Sequence, residues 1–168
     1  MNVSGSGMDA LRRMLPRIPR PASLFSGLRL EEALAPDNII FFQRSDTTAF
    51  RPEGVSDNHH HRFELVTVLR KGGPVRIGEG GYFLQPGEAA LIFPNQFHHY
   101  LDVEAGKLEW LFITFELAHA EPLAALRDAP RQLGERELEL LSGMVQAALP
   151  RRGKPADTLG ISYRLATL

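Results

Sequence analysis

The part of the chain between Asn38 and Leu117 consists of short apolar runs separated by turns rich in glycine and proline. Glycine allows positive φ at tight turns, and Pro-Gly favours a type II turn. Strands this short, at this spacing, predict an antiparallel β-sandwich or barrel. The runs are Asn38–Gln43, His60–Leu69, Pro74–Gly78, Tyr82–Leu84, Ala89–Phe93, Phe97–Val103 and Leu108–Leu117.

Segments of a different character flank this region, which we predict as a barrel over residues 37–117. Residues 1–36 are predicted to form an N-terminal arm, extended over the Pro- and Arg-rich stretch Met14–Ala22 and with a short helix over Leu28–Leu34. Residues 118–168 are predicted to be helical, beginning with a short helix at Glu121–Arg127. The expected fold class is therefore mainly β, an antiparallel sandwich followed by C-terminal α-helices.

Two amphipathic helices are predicted after that short helix. Glu135–Leu149 carries apolar side chains on one face, and a final helix capped by Thr158 does the same. Because one sheet does not obviously cover both stripes, we expect a homodimer through these helices. The alternative is that both helices fold back on the barrel against Leu111, Ile113 and Phe115. The stripe residues are Leu138, Leu141, Val145, Ala148, Ile161, Leu165 and Leu168.

Composition excludes several classes of function. The net charge is -1, which argues against this chain binding nucleic acid by phosphate neutralisation. There is no cysteine, so disulfides and thiolate chemistry are excluded, and a cytoplasmic location is expected. No apolar run approaches the roughly 18 residues of a membrane-spanning helix. We therefore expect no membrane partner.

Three segments carry side chains that could form a polar or aromatic site. Successive side chains along a strand point to opposite faces, so residues two or four apart share a face. By this alternation His60, Arg62 and Glu64 share one face of an early strand. We expect a ligand-sensing pocket rather than an enzyme active site, lined by His60, Glu64, His98, Tyr100, Trp110 and Phe112.

Arg44 is a further ligand-binding candidate, because an arginine at a barrel mouth can hold an anionic or hydroxylated ligand through its planar fork. Each candidate also has a structural interpretation. Arg44 can be a surface residue, and Trp110 and Phe112 can be core. The histidines can be hydrogen-bonded in or near the core or exposed, and this is the favoured interpretation for His59, His61, His99 and His119.

The order of these segments resembles the two motifs of the cupin superfamily. More closely, it resembles the N-terminal sensor domain of AraC-type transcription regulators, over roughly residues 38 to 117. The resemblance implies a small effector bound inside the barrel, dimerisation through the helices, and DNA binding through a C-terminal helix-turn-helix region absent from this chain. The segments that carry it are Glu64–Gly72, Tyr82–Pro94, His98–Tyr100 and Trp110–Phe115.

The metal-binding cupin pattern is incomplete in this sequence. That pattern places His-x-His, a following Glu and a later His on one inward face, a set suited to Zn, Fe, Ni or Mn. With Glu64 as the carboxylate, the paired positions are His60 and Asn58, a poor ligand. With His59 and His61 as the pair, Glu64 faces the other way unless a bulge intervenes. We therefore predict no metal and no other cofactor. A metal-dependent dioxygenase or sugar isomerase, and a dimerisation module without a ligand, are the alternative functions.

Overall fold

The computed structural model describes residues 12–13, 15–17, 35–45, 60–100, 108–149 and 156–168. The chain divides into two units, residues 1–33 and 34–168. In the first unit Leu15–Arg17 forms a 3₁₀ turn, so these three residues are not extended as predicted. The helix predicted over Leu28–Leu34 lies outside the described residues.

The described part of the second unit contains eight strands, a 3₁₀ helix at Glu121–Leu126 and two α-helices, Glu135–Ala148 (α1) and Thr158–Thr167 (α2). No helix in this part has the length and hydropathy needed to cross a membrane. The strands are Asp37–Arg44 (β1), Phe63–Arg70 (β2), Gly73–Ile77 (β3), Gly80–Leu84 (β4), Glu88–Ile92 (β5), His98–Tyr100 (β6), Glu109–Glu116 (β7) and Arg131–Gln132 (β8).

The strands form two antiparallel sheets. The large sheet has the order β1-β7-β2-β5-β8, and the small sheet has the order β4-β3-β6. The predicted fold class, a mainly β antiparallel sandwich followed by C-terminal α-helices, is confirmed. Strand β8 was not predicted, because its two residues, Arg131 and Gln132, carry no apolar alternation.

The space between the two sheets is a packed core. Register fixes which residues enter it: Glu64 pairs with Thr114, Val66 with Phe112 and Val68 with Trp110. Cross-strand partners point to the same face, so the alternate residues of β2 and β7 line the interior. The buried members of this core are Val66, Val68, Val75, Ile77, Leu84, Ala90, Ile92, Leu108, Trp110 and Phe112.

The other face of the large sheet packs against the C-terminal helices. Leu141 and Met144 of α1 and Leu165 of α2 are buried in one cluster with Ile113 and Phe115 of β7. β7 is therefore buried on both faces, as expected from its unbroken apolar sequence. The helices fold back on the sheet, so the apolar stripe does not by itself require a partner chain.

The two α-helices begin with different caps. At the start of α1 the Glu137 side chain accepts a hydrogen bond from Gly134 N at 3.0 Å. At the start of α2 the cap is Asp157, whose Oδ1 accepts from Gly160 N at 2.9 Å. The predicted cap, Thr158, is instead the first helical residue. An aspartate satisfies the free N–H groups of a first turn as well as a hydroxyl does.

Candidate functional site

A cluster of four polar side chains lies between the two sheets at one end of the sandwich. Glu64 projects inward from β2 of the large sheet, and its side chain is 6% exposed. Tyr100, from β6 of the small sheet, donates a hydrogen bond to Glu64 Oε1 at 2.7 Å. His60 and His98 complete this set, which we call the polar cluster.

Both imidazoles turn the same ring nitrogen towards the carboxylate. His60 Nε2 lies 3.5 Å from Glu64 Oε2, and His98 Nε2 lies 3.7 Å from Glu64 Oε1. On the opposite side of each ring, Nδ1 faces a backbone carbonyl, that of Arg62 at 2.9 Å and that of Gln96 at 3.2 Å. A carbonyl only accepts hydrogen bonds, so each Nδ1 carries a proton and donates it.

In this tautomer, Nε2 of a neutral ring carries a lone pair, and this lone pair points at the negatively charged carboxylate of Glu64. In that state His60 Nε2 is buried without a hydrogen-bond partner among the described residues. The arrangement becomes favourable when a proton or a cation lies between a ring and Glu64. The carboxylate of Glu64 and the two Nε2 atoms can therefore accommodate a proton, a cation or a hydrogen-bond donor placed between them.

The pKa values of the cluster follow from these contacts. Burial alone would raise the pKa of Glu64, but the contact with His60 and the hydrogen bond from Tyr100 outweigh it and lower the pKa below 4.5. The contact with Glu64 raises the pKa of His60 above 6.5. Burial lowers the pKa of His98, more than the Glu64 charge raises it. At neutral pH the carboxylate is ionised, and of the two rings His60 holds a proton more readily.

The turn between β5 and β6 positions both histidines. Asn95 N donates to the carbonyl of His60 at 2.7 Å, and the carbonyl of Gln96 receives His98 Nδ1. Asn95 has a φ of 61°, a left-handed conformation that asparagine tolerates better than most residues. Gln96 is itself buried and bonds to Phe93 N and to Asp128 Oδ1. The sequence indicated a turn at Pro94–Gln96 between two predicted strands and did not indicate that Asn95 fixes the backbone of His60.

Strand alternation does not determine the positions of the residues just before β2, because they are not in a strand. β2 begins at Phe63, so His60 lies before the strand, and Asn95 N rather than a strand partner fixes its backbone. Arg62, expected on the same face as His60 and Glu64, contacts the neighbouring strand β7 instead of the polar cluster. Its guanidinium bonds to Thr114 Oγ1 at 3.3 Å, to Glu116 Oε1 at 2.8 Å and to the carbonyl of Asn38.

Trp110 and Phe112 lie directly beneath the cluster. The Tyr100 ring meets both edge-on, with centroids 5.7 Å and 5.5 Å apart. Only 1% of Trp110 and 2% of Phe112 are exposed, and Trp110 Nε1 donates to the carbonyl of Lys71 at 2.8 Å. Both side chains therefore belong to the core, which is the structural alternative given for them above. We call the two rings, which contact Tyr100 of the polar cluster, the aromatic floor.

Arg44 is at the exposed edge of the same aromatic row. Its guanidinium carbon lies 5.7 Å from the centre of the Phe42 ring, which stacks on Phe112 at 4.8 Å. Arg44 therefore contacts the row but not the carboxylate of the polar cluster. Phe42 was not among the predicted site residues, although it follows Phe41 in a strand whose alternation places it inward. Asn58 and His59 lie outside the described residues.

No protein-family model matches the sequence, and no curated protein matches it. Among solved structures it is similar to a cupin 2 conserved barrel domain protein from Rhodopseudomonas palustris, with 18% identity over 68% of this chain and 70% of that chain and a TM-score of 0.34. A cupin-2 domain from Rhodospirillum rubrum has 16% identity over 68% of both chains and a TM-score of 0.34. Oxalate decarboxylase from Bacillus subtilis has 13% identity over 54% of this chain and 22% of that chain, with a TM-score of 0.32. Identities and TM-scores this low transfer no function to this chain.

Proposed function

We propose that this chain is the effector-sensing and dimerisation domain of an AraC-type transcription regulator, and that it binds a small, sugar-like molecule at the polar cluster without catalysing a reaction. The observation that carries the proposal is the meeting of Glu64, Tyr100 and two histidines above buried aromatic rings. Ligand sites are mostly apolar, with a few convergent polar groups that fix orientation. The cluster and its aromatic floor meet that description.

The chemistry of the cluster suits a hydroxylated molecule. An ionised Glu64 accepts hydrogen bonds from hydroxyl groups, a protonated His60 donates them, and Tyr100 can do either. Burial of Glu64 and His98 strengthens each bond, because few waters compete for the same atoms. Arg44 is proposed to contact the ligand from the exposed end of the aromatic row, beyond Phe42.

Dimerisation through the C-terminal helices remains part of the proposal, but on a different surface. The inward stripe is covered by the large sheet. The outward face of α2 exposes Leu159 and Tyr163, four residues apart, with 82% and 69% of their surfaces exposed. We propose that this face meets its copy in the dimer, and that the protein is cytoplasmic. We propose that DNA is contacted through the helix-turn-helix region that the resemblance implies.

Thermal unfolding in the presence of monosaccharides and polyols tests effector binding. A ligand that binds only the folded state raises the melting temperature as its concentration exceeds its Kd. We expect a shift with at least one compound in the presence of EDTA, and loss of that shift in Glu64→Gln. Glu109→Gln, an exposed carboxylate on β7, is the matched control and should keep the shift. A panel without any shift, or a shift that Glu64→Gln retains, contradicts the proposal.

A metal-dependent cupin enzyme is the second candidate, and one observation favours it. His60, Glu64 and His98 each offer a ligand atom, and these atoms lie within 4.8 Å of one another. Metal-binding histidines usually donate their other ring nitrogen to a carbonyl or carboxylate, as both rings do here. Two histidines and one carboxylate fit a divalent metal such as Fe, Mn or Zn. A bound metal would supply Lewis-acid chemistry at this end of the sandwich.

Metal titration separates the two candidates. Protein stripped with EDTA is titrated calorimetrically with Mn²⁺ and Zn²⁺, alongside His98→Ala and the control His99→Ala. The effector proposal expects no stoichiometric binding, and any sugar-induced thermal shift to persist in EDTA. Binding of one metal per chain that His98→Ala abolishes and His99→Ala keeps would favour the enzyme, and a metal-dependent sugar shift would do the same.

A further inference from the structure

A second cavity lies outside the barrel, between the large sheet and the C-terminal helices. Its volume is about 390 Å³. The space is partly open to solvent, and its volume lies within the range of small-molecule sites, about 300–1,000 Å³. Its walls come from the outward face of the large sheet, the 3₁₀ helix, β8 and the last turn of α2. It shares neither Glu64 nor a histidine with the polar cluster.

The lining is apolar. Several of its leucines pack against the buried core of this face yet remain partly accessible, because they border the cavity instead of being covered. Water molecules find few hydrogen-bond partners on apolar walls, so an apolar occupant is favoured over water. These residues are Leu91, Leu117, Leu123, Leu133 and Leu168.

The charged and amide groups at the cavity differ in whether they already have partners. The Glu137 carboxylate accepts from Gly134 N, and the Gln132 amide donates to the carbonyl of Gly87. Arg131, on β8, lines the same cavity, is exposed, and makes no ion pair with any described residue. Among the described residues of the lining, Arg131 therefore offers a cationic group beside an apolar space.

We propose that this cavity binds a small amphipathic molecule, with its apolar body among the leucines and one anionic head group at Arg131. An apolar cavity of about 150 Å³ holds benzene, so this one has room for a body roughly two to three times larger. A medium-chain carboxylate has that size and charge. Its place between the sheet and both helices couples occupancy to the packing of Leu165 and Leu168 of the C-terminal segment.

Octanoate is the probe, and octanol and octylammonium are its neutral and cationic counterparts. Calorimetric titration should show saturable binding in the order octanoate, octanol, octylammonium. Arg131→Gln should weaken octanoate binding about fivefold, the upper end for an exposed ion pair, and leave octanol unchanged. Arg136→Gln, an exposed arginine of α1 outside the cavity, is the matched control.

A second variant tests the location independently of charge. Ala166 of α2 lines the cavity and is exposed, so Ala166→Phe adds volume there without entering the buried core. It should abolish binding of octanoate and octanol while the far-UV circular dichroism is unchanged. Binding that survives Ala166→Phe, equal affinity for octanoate and octylammonium, or no binding of octanoate would overturn the proposal. Glu64→Gln should bind octanoate normally, which keeps this site distinct from the polar cluster.

Discussion

Tyr100 Oη donates a hydrogen bond of 2.7 Å to Glu64 Oε1 and so joins the small sheet to the large sheet at the end of the sandwich. Burial, together with the negative charge of Glu64, raises the pKa of Tyr100 well above 10. The phenol therefore keeps its proton at neutral pH. It donates to a carboxylate that is ionised at the same pH.

Removing this donor should destabilise the fold. In Tyr100→Phe the ring remains against Trp110 and Phe112, but a buried ionised carboxylate loses the hydrogen bond from the phenol. Hydrogen bonds to charged groups contribute about 1.5–3 kcal/mol. We expect the free energy of unfolding in urea at pH 7 to fall by about that amount. Tyr163→Phe, at an exposed position on α2, should change it by less than about 0.5 kcal/mol. Equal losses in the two variants would contradict the role of Glu64.

Removing the Glu64 carboxylate should lower the pKa values of both histidines, His60 and His98. Glu64 raises the pKa of His60 through their contact, and its charge also raises the pKa of His98 against the effect of burial. We expect both pKa values to fall in Glu64→Gln, followed by NMR titration of the ring protons. Glu109→Gln, whose carboxylate pairs with Arg70 at the surface, should leave both unchanged. A histidine whose pKa rises in Glu64→Gln would show that the assigned geometry is wrong.

The two histidines should affect the pH dependence of stability with opposite signs. The folded state raises the pKa of His60, so its contribution is fully present below about pH 6.5 and is lost as pH rises through the raised value. The folded state lowers the pKa of His98, so its contribution is lost as pH falls from about 6.5 through the lowered value. Urea unfolding between pH 8 and pH 5.5, with EDTA present, measures both.

Single variants separate these contributions. Relative to the wild type, His60→Asn should lose stability as the pH falls from 8, because it lacks the ion pair with Glu64. Under the same change His98→Asn should gain relative stability, because it lacks the ring that resists protonation. Two variants with slopes of the same sign would refute the assignment of the raised and lowered pKa values.

Most of the fold was predictable because apolar alternation and glycine-rich turns act locally. The predicted run Leu108–Leu117 corresponds to Glu109–Glu116, and Ala89–Phe93 to Glu88–Ile92. The errors occur where tertiary contacts decide. The predicted helix Glu121–Arg127 is a 3₁₀ helix, and β8 exists only because it pairs with Glu88 and Ala89. Of the predicted strand Phe97–Val103, His98–Tyr100 is a strand and residues 101–107 lie outside the described residues.

The site was predictable as a set of residues but not as a geometry. Parity along β2 and β6 correctly grouped Glu64, His98 and Tyr100. His60 was included for a wrong reason, because it precedes β2 and a bond from Asn95 N places it. The tautomers depend on two backbone carbonyls, which no side-chain pattern reveals. Asn58, the position that left the metal pattern incomplete, lies outside the described residues.

The packing of α1 on the sheet gives a stability prediction. Met144 is fully buried between α1 and the large sheet, next to Leu141. Met144→Ala should cost about 2–5 kcal/mol of unfolding free energy, because it leaves a cavity in a packed cluster. Gln146→Ala, on the exposed side of α1, should cost less than about 0.5 kcal/mol. Similar losses would mean that the helix does not pack on the sheet in solution.

The last prediction concerns self-association. Leu138 is 40% exposed and Leu141 is 4% exposed, so a charge at Leu141 would unfold the domain without reporting on a dimer. Leu159 and Tyr163 are exposed on α2, and Leu159→Glu with Tyr163→Glu alters that face without entering the core.

Sedimentation equilibrium at tens of micromolar should show a dimer for the wild type and a folded monomer for the double variant. In a two-fold dimer the same face of α2 meets its copy, so the introduced glutamates of the two subunits would lie close together and repel each other. Changing one face of α2 therefore suffices to dissociate the dimer. Gln146→Glu, exposed on α1, introduces a charge outside this face of α2 and should keep the dimer. A monomeric wild type, or a double variant that remains dimeric, would refute an interface on this face of α2.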